Sequence, residues 1–367
     1  MTLPFLIDFG LIIIGILLLF GGGELFVAGA VALSLLFGIP QIVIGLTVVS
    51  LGTSAPELFV SLLSTLKGGS AGDAIAVSNI VGSNIFNVMV VLGASAAVMP
   101  LRVKSRLVKR DVPLLFAVSM ATWGMASGGR ITWIAGLALV AGTIINLVWE
   151  IRSAREEPSD AAEDLGAEAG GSRTPVAITK LIVGLVLLVI GSQVLVKGAI
   201  AAAQGLGVSE TVIGLTIVSA GTSMPELVTS LVAAYRGKPD LAIGNVVGSN
   251  LLNQLVVLGL CGLASGSRGL GVDPVMINRD FPIMVATTLA CLPIFWSGGV
   301  ISRKEGWVLL GIYGLYIIEQ ILSSTASTLA DEFRLFALIG VLPLVLVLLI
   351  WSTLKWKQKR KSISGLI

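Results

Sequence analysis

The chain has no histidine. That excludes His-ligated zinc and histidine proton relays. It has two cysteines, Cys261 and Cys291, both inside apolar runs. They read as small packing residues rather than as a disulfide or a metal pair. Charge is scarce: 12% of residues are Asp, Glu, Lys or Arg, against about a quarter in soluble globular proteins. The net charge is only +3, and no basic stripe is interleaved with aromatics, so a nucleic-acid partner is not expected. Residues 1–20 hold Asp8 but no Lys or Arg. A secretory signal needs a positive leading region, so the first apolar run is expected to be retained as a span.

Apolar sequence fills the space that charge leaves. Hydrophobic residues make up 55% of the 367. Runs of 18 or more recur along most of the chain, the pattern of helices that cross lipid. Eleven candidate spans fall at 6–36, 40–66, 73–99, 111–128, 131–151, 177–203, 209–235, 241–266, 281–299, 305–323 and 333–354. With the N-terminus outside, 18 of the 24 Lys and Arg residues lie in cytoplasmic segments. The positive-inside rule therefore favours N-outside and C-inside, which requires an odd span count. The run LRVKSRLVKR reads first as a topology determinant. Residues 153–176 are rich in Glu, Asp, Ala, Gly and Ser, too polar to fold alone, and are expected to be a flexible acidic cytoplasmic linker.

The linker separates two copies of one pattern. GLTVVSLGTSAPEL (Gly45 to Leu58) and GLTIVSAGTSMPEL (Gly214 to Leu227) agree at 11 of 14 positions, 169 residues apart. NIVGSNIFN (Asn79 to Asn87) and NVVGSNLLN (Asn245 to Asn253) follow at an offset of 166. Five spans precede the linker, and five is odd, so the second copy enters the membrane upside down. Inverted repeats of this kind are common in secondary transporters, with the binding site near the midplane. The expected fold is thus an all-α integral membrane protein with an inverted 5+5 transmembrane repeat plus an eleventh C-terminal helix. Its parts are a first half at 1–152, the linker at 153–176, a second half at 177–324, and a final helix with a basic tail at 325–367.

The repeated motifs carry the chemistry. Gly and Pro weaken a helix, and Pro56 and Pro225 remove a backbone donor. Broken helix at membrane depth is tolerated only inside protein or along a cavity. Glu57 and Glu226 are carboxylates in apolar spans, where an uncompensated charge costs several kcal/mol. A structural pairing with lysine is the plain alternative, but Lys197 alone lies within a span interior and cannot serve two symmetry-matched acids. Carboxylates among Ser and Thr hydroxyls, without nitrogen or sulfur, suit hard cations. Ser83 with Asn87, and Ser249 with Asn253, are four apart and share a helix face. The same motif adds Asn84 and Asn250, for which hydrogen-bonding glue between helices is the plain alternative. Glu24 and Glu319 lack acidic counterparts in the other half, so local structural roles are expected for them. An antiporter explains inverted duplicates. A channel gives no reason for them, and an intramembrane enzyme lacks a nucleophile–base pair.

GTSAPE with NIVGSNIFN, and GTSMPE with NVVGSNLLN, closely resemble the repeats of the calcium/cation antiporter superfamily, specifically prokaryotic sodium/calcium exchangers. The resemblance spans the first ten helices. It implies Ca²⁺ and Na⁺ as transported ions, with no cofactor and no enzymatic activity. It implies Glu57 and Glu226 as central ligands, and carbonyls of Thr53 and Thr222 on Ca²⁺. Oxygens of Ser54, Ser83, Ser223 and Ser249 would hold Na⁺, the carbonyls of Ser50 and Ser219 would reach an outer Na⁺ site, and Asn87 and Asn253 would form a polar pair at the centre. The family's residue at the Asn253 position is often Asp, so this chain has two acids where relatives have three. A multi-pass protein of the prokaryotic inner membrane, working as a monomer, is expected. Proton-coupled exchange is the alternative.

Overall fold

The computed structural model describes residues 3–103, 107–156, 174–207, 213, 217, 219–296, 299–325 and 327–336. The expected eleventh span at 333–354 lies outside these residues apart from its first four, as do the basic tail and residues 157–173 of the linker.

The first half opens with α1 (Leu3–Phe37) and a broken stretch: α2 (Gln41–Ile44), a π-helical turn at Gly45–Val49, α3 (Ser50–Thr53) and α4 (Ala55–Lys67). Next come α5 (Gly69–Phe86), a π-helical turn at Asn87–Leu92 and α6 (Gly93–Val98). The strand β1 (Leu101–Arg102), a π-helical turn at Leu107–Asp111, α7 (Val112–Ala126), β2 (Arg130–Ile131) and α8 (Trp133–Glu156) complete it. The second half follows the same plan. It runs α9 (Thr174–Gly205), α10 (Ser219–Gly221), α11 (Met224–Tyr235), α12 (Pro239–Leu252), a π-helical turn at Asn253–Leu258 and α13 (Gly259–Ala264). Then come β3 (Leu270–Gly271), a π-helical turn at Met276–Asp280, α14 (Phe281–Trp296), β4 (Val300–Ile301) and α15 (Arg303–Thr325). A final helix, α16 (Ser327–Phe336), packs on α15. Helix therefore runs into both ends of the expected linker, through Glu156 on one side and from Thr174 on the other.

Six stretches are individually long and apolar enough to cross a bilayer: Ile7–Phe37, Gly69–Val98, Trp133–Arg152, Thr174–Gly205, Pro239–Ala264 and Arg303–Ser323. Gln41–Thr53 and Ala55–Lys67 together form a seventh, bent by 47° at its break. The remaining expected spans, at 111–128, 209–235 and 281–299, correspond to the shorter helices α7, α11 and α14.

Two small ribbons report the handedness of the duplication. β1 pairs antiparallel with β4, and β2 with β3. β1 and β2 are separated by α7 and its preceding turn, about 30 Å of helix, and so lie at opposite ends of one span. β3 is the counterpart of β1, yet it pairs at the β2 end. The second half is therefore turned over relative to the first.

α1 and α9 pack along almost their whole lengths. Gly15, Gly22 and Gly29 on one, and Gly191 and Gly198 on the other, recur every seven residues. A Cβ at any of these five would fall 2.6–2.8 Å from partner backbone. Small residues are what let two membrane helices approach this closely. The buried core lies elsewhere, where α5 and α12 cross inside a shell of the other helices, with Ile80, Ile85, Ile243 and Val247 almost fully enclosed.

Candidate functional site

Local sequence builds the site twice. Ser54 (φ −81°, ψ 5°) and Ser223 (φ −90°, ψ 9°) leave helical geometry. α4 and α11 restart immediately, each with Pro in its first turn, where a missing N–H costs little. Glu57 and Glu226 then sit in the first turns of these two helices, where the positive end of the helix dipole favours a carboxylate. Both glutamates are 0% exposed.

The halves complete each other's carboxylates. Ser223 Oγ donates to Glu57 Oε1 at 2.9 Å, and Ser54 Oγ donates to Glu226 Oε1 at 3.0 Å. Ser83 Oγ adds a longer 3.4 Å contact to Glu57 Oε1. The second oxygen of each carboxylate, Oε2, is buried without a hydrogen-bond partner. So are both polar atoms of Asn87, both of Asn253, and the Ser249 hydroxyl. Buried polar atoms are normally satisfied. The unpaired oxygens of the two acids, of Asn87 and Asn253 and of Ser249 are atoms that a desolvated cation could satisfy. Among the described residues no three of His, Cys, Asp and Glu gather together. A cation here would rely on two carboxylates plus neutral oxygens, a donor set suited to Ca²⁺ and Na⁺ and unsuited to thiophilic metals.

The remaining expected residues lie close by. Ser50 is fully buried, and its hydroxyl faces Thr47 O at 3.4 Å. Ser219 opens α10, but its side chain lies outside the described residues. Thr53 and Thr222 have a cross-half role that their motif position did not reveal. Thr53 Oγ1 donates to Asn245 Oδ1 and Thr222 Oγ1 donates to Asn79 Oδ1, both at 3.1 Å.

Asn79 and Asn245 were missed as site residues. Asn79 Nδ2 reaches the Glu57 carbonyl at 3.4 Å and Ser61 Oγ at 3.0 Å. Asn245 Nδ2 reaches the Glu226 carbonyl at 3.3 Å and Ser230 Oγ at 2.9 Å. Each amide thus braces the glutamate of its own half and the threonine of the other. Their signal was present: they begin the second motif at the same 166-residue offset. Asn84 and Asn250 behave as glue, since Asn250 Nδ2 donates to the Asn84 carbonyl at 3.2 Å. Gln254 extends this contact. Its amide donates to Asn84 Oδ1 at 3.3 Å and Ser119 Oγ at 3.1 Å, and Thr122 donates back to it at 3.0 Å.

One expectation is corrected. Glu319 does have an acidic counterpart, Glu150, at the 169-residue offset. Glu150 bonds Arg110, while Glu319 lies 3.7 Å from Arg279, the residue that matches Arg110. Each arginine also contacts the aspartate that follows it, Asp111 or Asp280. These are buried structural clusters at span ends, away from Glu57 and Glu226 in sequence, and their repeat was hidden by divergent neighbours. Arg334 of α16 joins the second cluster through Glu319. Glu24 pairs with Arg236, in keeping with a local role.

Comparison with known proteins gives the same picture. The family model "Sodium/calcium exchanger protein" matches residues 7–152 and again 176–322, one match per half. Inner membrane protein YrbG of Escherichia coli is 32% identical over 325 residues, covering 85% of this chain and 98% of that protein. Sodium/calcium exchanger MaX1 of Methanosarcina acetivorans is 30% identical over 348 residues, covering 85% and 98%. Among solved structures, the sodium-calcium exchanger NCX_Mj soaked with Na⁺ and Sr²⁺ superposes with a TM-score of 0.72 at 29% identity, covering 85% of this chain and 98% of that one. With its two matched halves and its paired buried carboxylates, the chain belongs to the sodium/calcium exchanger protein family.

Proposed function

We propose that this multi-pass membrane cation antiporter exchanges Ca²⁺ for Na⁺ by alternating access to one site between its halves. The observation that carries the reading is the reciprocal bonding of the two carboxylates, each left with one free buried oxygen. Glu57 and Glu226 are the central ligands. Thr53 and Thr222 supply carbonyl oxygen, Ser54, Ser83, Ser223 and Ser249 supply hydroxyls to Na⁺, and Asn87 and Asn253 complete the centre. Ser50 and Ser219 serve an outer Na⁺ position.

Charge explains exchange rather than leak. Two ionised carboxylates carry −2, which one Ca²⁺ or two Na⁺ neutralise. Loading both kinds at once leaves excess charge in a low-dielectric site, which is costly. The ions therefore exclude one another. With Asn253 in place of a third acid, the expected exchange is two Na⁺ for one Ca²⁺, without net charge movement.

The halves are proposed at 1–152 and 177–324, in line with the two family matches. We place the N-terminus outside and the C-terminus in the cytoplasm of a prokaryotic inner membrane. The ribbon pairs support this parity, since β1 with β4 and β2 with β3 each join segments assigned to one side. One chain holds the full ligand set, which suits function as a monomer.

The test is isotopic Ca²⁺ uptake into proteoliposomes with Na⁺, K⁺ and H⁺ gradients imposed one at a time. Uptake driven by Na⁺ alone is expected. Uptake driven by a pH gradient in Na⁺-free buffer would replace Na⁺ with H⁺, a reading favoured by carboxylate oxygens that are buried and free to take a proton.

A further inference from the structure

The α1–α9 pair sits unequally between the two halves. On the second half, Gly23 of α1 lies against Val228 and Val232 of α11, whose side chains would be 3.1 and 3.2 Å from a Cβ there. Val228 and Val232 are 5% and 3% exposed. Their counterparts 169 residues earlier are Phe59 and Leu63 on α4, and these are 65% and 55% exposed. The structure has thus closed one of two equivalent faces and left the other bare. In an inverted repeat, the opposite-facing state closes the face that is open here. Each contact between the pair and α11 then has a known replacement, read off at the 169-residue offset.

Two polar contacts hold the present arrangement. Glu24 on α1 takes a forked pair of bonds from Arg236, which follows α11, with Nε at 3.0 Å from Oε2. Ser192 on α9 donates to the Gly221 carbonyl at 2.6 Å. Pro225 cannot offer an N–H to that carbonyl, so the hydroxyl supplies the donor that the break removes. The replacements lack both contacts. Glu24 and Arg236 correspond to Gln193 and Lys67, which cannot form an ion pair. Ser192 and Gly221 correspond to Gly23 and Gly52, with no hydroxyl.

We infer that Glu24–Arg236 and Ser192–Gly221 form a one-sided latch, present in this conformer and absent by sequence from its opposite, which biases the resting transporter toward the state seen here. Under the orientation proposed above, the latch closes the cytoplasmic side and the protein rests open to the outside. The inference rests on alternating access, but not on which ions are exchanged.

Spin labels can report the two states. Cysteines replacing Phe37 and Tyr235 flank the closed face, and cysteines replacing Leu206 and Leu66 flank its counterpart; all four sites are more than 59% exposed. Native Cys261 and Cys291 are buried. Pulsed electron-resonance distances in proteoliposomes are expected to show one dominant population for each pair. Moving the charge, by Glu24→Gln with Gln193→Glu, is expected to raise the minor population about threefold or more, the scale of an exposed ion pair. Ser192→Gly, a milder change that keeps every charge, is expected to shift it the same way. Unchanged populations in both variants would overturn the latch. Calcium uptake measured on the same samples separates this outcome: failed uptake with shifted populations rejects the proposed ions and leaves the latch standing.

Discussion

Around Glu57, a serine of the second half donates at 2.9 Å, and around Glu226 a serine of the first half donates at 3.0 Å. Asn79 and Asn245 brace the two threonines at one shared distance of 3.1 Å. At the rim the agreement ends: Glu24 faces Arg236, whereas the matching positions hold Gln193 and Lys67. At the centre the carboxylates, their donor serines and their amide braces repeat across the halves, although Ser83 meets Glu57 at 3.4 Å while Ser249 has no partner. The rim determines which side is open, and there equivalence would leave the two states equal in energy. Symmetry is kept where chemistry is shared and lost where direction is decided.

The strongest challenge to a symmetric centre is to remove its charges singly. Glu57→Gln and Glu226→Gln are each expected to lower Na⁺-driven Ca²⁺ uptake more than about 100-fold, since a half-neutralised site cannot balance a divalent ion. Retained uptake in either would break the equivalence. Next in size, Asn253→Asp adds a third carboxylate and is expected to make exchange respond to an imposed membrane potential. The native protein is expected to be insensitive; a clear voltage response in it would contradict the two-charge site.

Smaller effects sharpen the comparison. Asn79→Ala and Asn245→Ala each remove a brace between halves, and each is expected to cost about 1–3 kcal/mol of stability. Matching losses in thermal unfolding would support equivalent bracing, and a large difference would assign the brace to one half. The least effect is expected from Gln254→Val, which installs the residue found at its counterpart, Val88. It removes one partner each from Ser119, Thr122 and Asn84, which keep their bonds to the carbonyls of Leu115, Ser119 and Ile80, for about 1–2 kcal/mol.

Much of the centre was legible because it is local. GTSAPE and GTSMPE specify a break, a proline restart and a glutamate in a first turn, and the structure has all three in both copies. Ser54 and Ser223 could be named as site residues from the motif, but not as partners of the opposite glutamate. That depends on how the halves are pressed together. Asn79 and Asn245 were overlooked for a similar reason: a lone amide at a motif's start gains meaning only when a threonine from the other half lies 3.1 Å away. Glu150 escaped notice beside Glu319 because its neighbours diverge, though the offset is the same.

By itself, the sequence determined that the chain lives in lipid, that it is duplicated, that the second copy is inverted, and where two matched acids fall within it. Those follow from composition, periodicity and span parity, all properties of a chain read in order. Tertiary structure alone decided which hydroxyl meets which carboxylate, which oxygens stay unpaired, and which of two equivalent faces is closed. Both faces carry the same kind of apolar residues, and only the position of α1 and α9 buries Val232 while leaving Leu63 bare.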